Sequence, residues 1–203
     1  MIDTIIFDLG GVLIDWNPKY VFRQIFDTEE EVDWFLTEIC DSAWNEEQDA
    51  GRSLQEGTAV KVLEYPQHRD AILAYYGRWQ EMLGGPIAET VDLLKSLKED
   101  GQYRLLALTN WSYETFPVAQ ELYDFLSWFE GIVVSGIEKT RKPKKEIYDI
   151  LLDRYQVTPE KAVFIDDNIG NVQAGNFLGI HGIHFQSPAQ LRSDLEKLSV
   201  QIS

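Results

Sequence analysis

Hydrophobic and polar positions along this 203-residue chain fall into two regimes. Ile5 to Phe7 form an apolar run that rises directly into Asp8, with Gly10 and Gly11 just beyond. A short apolar run without alternation is the pattern of a strand buried on both faces of a parallel sheet. Similar runs predict strands at Tyr103–Thr109, Ile132–Ser135, Ala162–Ile165 and Gly182–Phe185. Between them, apolar residues recur at helical spacing. Val91, Leu94 and Leu97 mark a helix from about Ile87 to Glu99 that stops at Gly101, and a helical region lies around Val118 to Phe129. Ile147, Ile150 and Leu151 follow a helix start at Pro143. Val172 and Leu178 mark the next helix, and a tail helix is expected near Ala189 to Leu198. Strands alternating with helices of this length predict an α/β fold, a parallel sheet with helices on both faces.

The second regime runs from Asp15 to about Gly85 and contains no convincing strand pattern. Thr28 and Glu31 fit a capping box, after which Val32, Phe35, Leu36 and Ile39 recur at helical spacing. A second helix is expected near Thr58 to Glu64, and a third carries Ile72, Tyr75, Tyr76, Trp79 and Leu83. Gly84-Gly85-Pro86 reads as a turn and helix start. The predicted organisation is a core of residues 1–14 and 86–203 with an inserted α-helical cap at 15–85.

Composition narrows the function. With 44% hydrophobic residues the chain is too apolar for disorder. Its formal net charge of -16, from 34 acidic and 18 basic side chains, argues against a nucleic-acid partner, since affinity for that backbone comes from Lys and Arg. An enzyme this acidic that handles phosphate esters needs a metal ion or a local lysine. Cys40 is the only cysteine, so a reducing compartment is expected, with Cys40 itself a small core residue on a helix. Neither a charged leader with an apolar signal region nor an uncharged run of about 18 residues is found, so we expect a cytoplasmic protein with no membrane partner. His68, His181 and His184 show no metal-binding spacing and receive no role.

Four predicted strand ends carry polar groups: Asp8, Thr109-Asn110, Lys142 and Asp166-Asp167. Parallel strands put all their carboxyl ends on one edge, where open α/β sheets bind ligands. Each group also has a bland reading. Thr109 suits a helix N-cap, Lys142 a solvated helix start, and Asp166-Asp167-Asn168 an Asx turn. Their occurrence at successive strand ends is what points to a site.

The stretches IIFDLGGVL, ALTNWS, RKPKKEIY and VFIDDNIGNVQAG, in that order, resemble the motifs of the haloacid dehalogenase (HAD) superfamily. The likeness is to its phosphatase-like branch with a small helical cap. It implies a Rossmann-like core with the cap inserted after the first motif. It further implies that Asp8 is a nucleophile forming an aspartyl-phosphate, and that Asp8, Asp167 and the Gly10 carbonyl ligate Mg2+. Thr109 and the Asn110 N–H would hold phosphate oxygens, Lys142 would neutralise the transferring group while paired with Asp166, and Asn171 would support them. The expected partner is a small phosphorylated metabolite.

One departure stands out. The phosphatases of the superfamily usually carry a second aspartate two residues after the nucleophile, as general acid and base; this chain has Gly10 there. Three repairs suggest themselves. Asp15 reaches back from the hinge, or the cap lends an acid such as Glu47 or Asp49. Alternatively the substrate needs little help, as with a sugar 1-phosphate; superfamily members with a glycine here resemble glucose-1-phosphate phosphatases. The same glycine admits a metal-independent 2-haloacid dehalogenase, or a protein that binds phosphometabolites without turnover. In the cap, Trp16, Trp44, Asn45, Glu47 and Gln48 suit a polar substrate, although Trp16 and Trp44 equally suit packing. Trp111 either lines the pocket mouth or packs.

Overall fold

The computed structural model describes residues 1–202. Its centre is a five-stranded parallel sheet made of β1 (Thr4–Phe7), β4 (Arg104–Thr109), β5 (Gly131–Val134), β6 (Ala162–Asp166) and β7 (His181–His184). A separate two-stranded ribbon joins β2 (Ile14–Trp16) to β3 (Leu83–Pro86). The sheet order is β5-β4-β1-β6-β7. Chain connectivity therefore reverses direction at β1, the switch point where such sheets open a crevice beyond their carboxyl ends.

Alternation along the strands divides the core. Ile5, opposite Leu105 and Val163 in register, joins Phe7, Ala107 and Ile165 in one apolar cluster; Ile6, Leu106, Leu108 and Phe164 belong to the other. Leu93, Leu94 and Leu97 of helix Ala88–Asp100, with Leu191 and Leu195 of helix Pro188–Lys197, cover the first face. Ile147, Tyr148 and Leu151 of helix Lys145–Arg154 cover the second. Gly101 ends its helix at φ 69°, a left-handed conformation that glycine adopts without strain. The helix expected to open at Pro143 begins at Lys145 instead.

The insert is helical, as its periodicity predicts, with helices Glu29–Trp34, Ser42–Asp49, Leu54–Glu64 and Arg69–Gly77. The capping box forms: Glu31 N donates to Thr28 Oγ1 at 3.2 Å and Thr28 N to the Glu31 carboxylate at 3.1 Å. Helix Glu29–Trp34 continues as a wider-turned segment, Phe35–Ile39. Cys40 is buried at its end, where burial pushes the thiol up to about 12 and leaves it inert.

The reading of this region as free of strands is corrected. β2 and β3 pair antiparallel, Ile14 opposite Pro86 and Asp15 opposite Gly85, where the chain leaves the core and returns to it. Gly84 and Gly85 supply no side chain for a pattern to show, but they permit close pairing: a Cβ on Gly84 would lie 2.0 Å from Asp15 Oδ2. No helix among the described residues is long and apolar enough to cross a membrane.

Candidate active site at the carboxyl edge of the sheet

Asp8 follows β1 directly, and its amide donates to Ile165 O of β6 at 2.8 Å, so the neighbouring strand fixes its backbone. Its Oδ1 accepts from Leu9 N at 2.7 Å and its Oδ2 lies 2.9 Å from Lys142 Nζ. Lys142 is 1% exposed, and its ammonium also meets Asp166 Oδ2 at 2.7 Å and Leu108 O at 2.8 Å. All three donor positions of that ammonium are thereby used. Lys142 does not sit at the end of β5 itself. A short helix, Ser135–Glu138, intervenes, and the loop after it is held by Asn110. Asn110 Oδ1 accepts from Lys142 N at 2.9 Å, while Asn110 Nδ2 donates to Lys142 O at 3.1 Å.

Asp166 ends β6, fully buried, with both carboxylate oxygens engaged. Its Oδ1 accepts from Asn168 N at 2.8 Å and Asn171 Nδ2 at 3.0 Å; its Oδ2 takes Lys142. Asp167 is exposed, yet carboxylate oxygens of Asp8, Asp166 and Asp167 all lie within 4.8 Å of one another. Three carboxylates thus face one ammonium. Burial pushes the Asp8 carboxyl up to about 8, with Lys142 pulling it down and Asp166 and Asp167 pushing it further up. Burial and the Asp166 charge likewise raise Asp167. Burial would lower Lys142, but Asp8 and Asp166 together hold it above its ordinary value.

Gly11 has a plain structural reason. Its φ is +72°, and a Cβ there would lie 2.3 Å from Asp167 Oδ2. Gly11→Ala is therefore expected to cost roughly 1–3 kcal/mol of stability and to displace Asp167. Denaturant unfolding reads this directly; an unchanged midpoint would contradict it.

Thr109, at the end of β4, is 1% exposed, and its Oγ1 is buried with no hydrogen-bond partner. A buried unpaired hydroxyl beside a carboxylate–lysine cluster is placed for a ligand oxygen. Beyond it opens a cavity of about 90 Å³, lined by Gly10 and Asn110 from the core edge and by Trp16, Asn45, Asp49, Tyr76, Trp79 and Trp111 around it. The cap residues divide accordingly. Trp16 and Asn45 reach the cavity, and Trp111 lines it too, with its Nε1 donating to Thr115 Oγ1 at 3.1 Å. Trp44 and Gln48 are buried inside the insert, Trp44 Nε1 donating to Gly57 O at 3.0 Å. Glu47 is exposed and lines no part of the cavity. Asp15 stays in the β2–β3 ribbon, where its Oδ2 accepts from Tyr20 OH at 2.5 Å.

Tyr76 and Trp79 line the cavity too, although their spacing in the sequence reads equally well as core. His184, given no role, has Nε2 2.9 Å from Asp167 O. His68 packs edge-on against Trp34, and His181 Nε2 lies 3.0 Å from Glu160 O.

A switch-point carboxylate held by a buried lysine, on a sheet with a helical insert after its first strand, defines a Rossmann-like α/β core with its site at the carboxyl edge. The chain belongs to the haloacid dehalogenase-like hydrolase family, whose profile matches residues 2–179. It is 28% identical to the sesquiterpene phosphatase astK of Aspergillus oryzae, over 95% of this chain and 94% of that protein. With the phosphorylated carbohydrates phosphatase of Thermotoga maritima it shares 26% identity, over 90% and 84% of the two chains. Among solved structures, the HAD family enzyme bt-2542 of Bacteroides thetaiotaomicron, in complex with magnesium and inorganic phosphate, is similar in fold. Its TM-score is 0.68 at 21% identity, over 92% of this chain and 96% of that one.

Proposed function

We propose that this protein is a magnesium-dependent phosphatase of a small phosphorylated metabolite, working through an aspartyl-phosphate on Asp8. The observation that carries this reading is the Asp8–Lys142–Asp166 cluster with Asp167 beside it and the unpaired Thr109 hydroxyl at its rim. Hard oxygen donors and a surplus of negative charge fit a small divalent cation. Because Asp166 is already engaged by Lys142, Asn168 and Asn171, the carboxylates left to hold the ion are Asp8 and Asp167, with the Gly10 carbonyl. When bound, magnesium supplies charge neutralisation and orientation for the phosphoryl oxygens.

The chain's own groups supply the rest. Asp8 attacks phosphorus and becomes phosphorylated. Lys142, charged and fixed, offsets charge on the transferring group. Thr109 Oγ1 and the Asn110 N–H receive its oxygens. Asp166 and Asn171 keep Lys142 and the β6 end in place. A metal-free dehalogenase is disfavoured by the same cluster, since two further carboxylates beside the nucleophile make chemical sense with a cation.

For the substrate we take a sugar 1-phosphate first, its ring able to stack on indole while its hydroxyls meet Asn45 and Ser112, both of which line the cavity. A second reading, a prenyl-type monophosphate, is favoured by the aromatic wall of Trp16, Tyr76, Trp79 and Trp111 and by the likeness to the sesquiterpene phosphatase of Aspergillus oryzae. The test is a phosphate-release panel of sugar 1-phosphates, sugar 6-phosphates, prenyl phosphates, pyrophosphate and nucleotides. Release with magnesium, lost in chelator and restored by added magnesium, is expected. Chloride release from 2-chloropropionate in chelator would establish the dehalogenase instead, and no turnover with measurable binding would leave a phosphometabolite-binding protein.

A further inference from the structure

Gly10 leaves the proposed reaction without the acid that the family's phosphatases carry on the same loop. The structure offers a slot and a substitute. Gly10 lines the cavity, and a Cβ built on it would meet no atom within 4 Å. Asp49 lines the same cavity from the insert, at the last turn of helix Ser42–Asp49. We propose that Asp49 is the general acid and base of this site, donated by the insert in place of the residue missing at position 10. The inference rests on the phosphatase reading above.

Asp49 is held on a chain of polar side chains that also ties the helices of the insert together. Asn45 Nδ2 donates to Asp49 Oδ2 at 3.1 Å, and Tyr76 OH donates to Asn45 Oδ1 at 2.9 Å. Gln48 Nε2 donates to Tyr76 OH at 2.9 Å, and Arg52 Nε donates to Gln48 Oε1 at 2.6 Å. Buried polar networks of this kind fix a side chain's direction. The helix itself is tied to the lysine loop by the Arg141 Nη2–Glu46 Oε2 pair at 2.5 Å, so the acid and the nucleophile's lysine are carried on joined elements.

The charge environment suits the task. Burial pushes the Asp49 carboxyl up to about 7, against the pull of Arg141, the Ser112 backbone and Lys142, and with Glu46 adding to the rise. Tyr75 and Tyr76, which face it from helix Arg69–Gly77, are themselves held neutral by burial. An acid near neutrality is protonated for the first step and able to accept a proton in the second. Asp15, by comparison, is engaged by Tyr20 in the ribbon and lines no part of the cavity.

The two steps balance. Asp8 attacks phosphorus, the bond from phosphorus to the leaving oxygen breaks, and the Asp49 proton goes to that oxygen. Water then attacks the phosphorus of the aspartyl-phosphate while Asp49, now a carboxylate, takes one of its protons. The Asp8–phosphorus bond breaks, releasing inorganic phosphate and regenerating both side chains.

The test compares an alkyl phosphate with p-nitrophenyl phosphate, whose leaving group needs no proton. In Asp49→Asn, single-turnover cleavage of the alkyl ester is expected to fall roughly 10²–10⁴-fold while that of the aryl ester stays within a few fold. Steady-state turnover of the aryl ester should then be limited by hydrolysis of the phosphoenzyme. It should show a burst of nitrophenolate equal to the enzyme present, which a merely structural lesion would not produce. A decline of the alkyl rate above pH of about 7 is expected in wild type and should vanish in the variant. Gly10→Asp added to Asp49→Asn should restore alkyl turnover, because the slot at position 10 is open.

An unchanged ratio of alkyl to aryl rates, or equal loss of both without a burst, would overturn the assignment. Loss of all turnover in Asp8→Asn alongside either result confines the failure to Asp49. Full activity of Asp8→Asn would instead remove the phosphatase reading.

Discussion

Asp8→Asn is expected to abolish phosphate release, by about 10⁴-fold or more, and to leave no trappable phosphoenzyme. The size follows from the loss of a covalent path rather than of one contact, since an amide oxygen cannot displace an alkoxide. Folding should survive, because Asn fills the same space and Lys142 keeps its partner Asp166 at 2.7 Å. Stability should in fact gain in chelator. Burial holds the Asp8 carboxyl near 8, above its ordinary value of 3.8, so the folded chain binds that proton more tightly than the unfolded one. A carboxyl raised in this way lends stability while protonated and loses it as pH rises from about 4 through about 8. The Asn variant has no such loss, and its advantage in unfolding midpoint over wild type should widen across that range. Magnesium should stabilise wild type and do less for the variant, by up to about 2.7 kcal/mol at a hundredfold excess over Kd. Residual catalysis in Asp8→Asn, or equal stabilisation of both proteins by magnesium, would contradict the site.

Why some of this was readable from residue order and some was not comes down to what packing adds. The buried strands announced themselves because a strand covered on both faces must be apolar throughout, and a charge at its end then stands out. Asp8 and Asp166 are such charges, the former 7% exposed and the latter fully buried. The expectation of a helical insert held for the same kind of reason, as stripes at helical spacing have few other uses. The β2–β3 ribbon escaped because three- and four-residue strands containing Gly84 and Gly85 carry no period. The cavity wall escaped for a subtler reason. Tyr76 lies on helix Arg69–Gly77 beside Ile72 and Tyr75, which are core, whereas Trp79 follows in a tighter turn after that helix ends and Leu83 falls in β3; nothing in the stripe says which end meets the sheet edge. Residue order offers Asp15 near Asp8 and Glu47 and Asp49 in the insert as substitute acids, without saying which of them reaches the cavity. Asp15 is seven residues from Asp8 but turned toward Tyr20, whereas Asp49 reaches the cavity by way of the whole insert.

Lys142→Met should be the most destabilising single change at the site, and for electrostatic rather than packing reasons. Methionine nearly matches the lysine stem in volume, so the cavity term is small. What is lost is, among the described residues, the only ammonium within reach of two buried carboxylates, at 2.9 Å from Asp8 and 2.7 Å from Asp166, together with a donor to Leu108 O. Leaving buried charge unpaired costs about 3–5 kcal/mol. In a chain of this length that lowers the unfolding midpoint by about 10 °C. Activity should vanish as well, so stability is the informative measurement. The decisive form is a double-mutant cycle. Asp8→Asn removes one of the two charges that Lys142 offsets, so Asp8→Asn with Lys142→Met should be more stable than the sum of the single effects predicts. Magnesium should narrow the gap between Lys142→Met and wild type if Asp8 and Asp167 hold the ion as proposed, because added positive charge relieves the same carboxylates. Additive single effects, or a midpoint for Lys142→Met equal to that of wild type, would mean the lysine is not the hub that its three contacts make it.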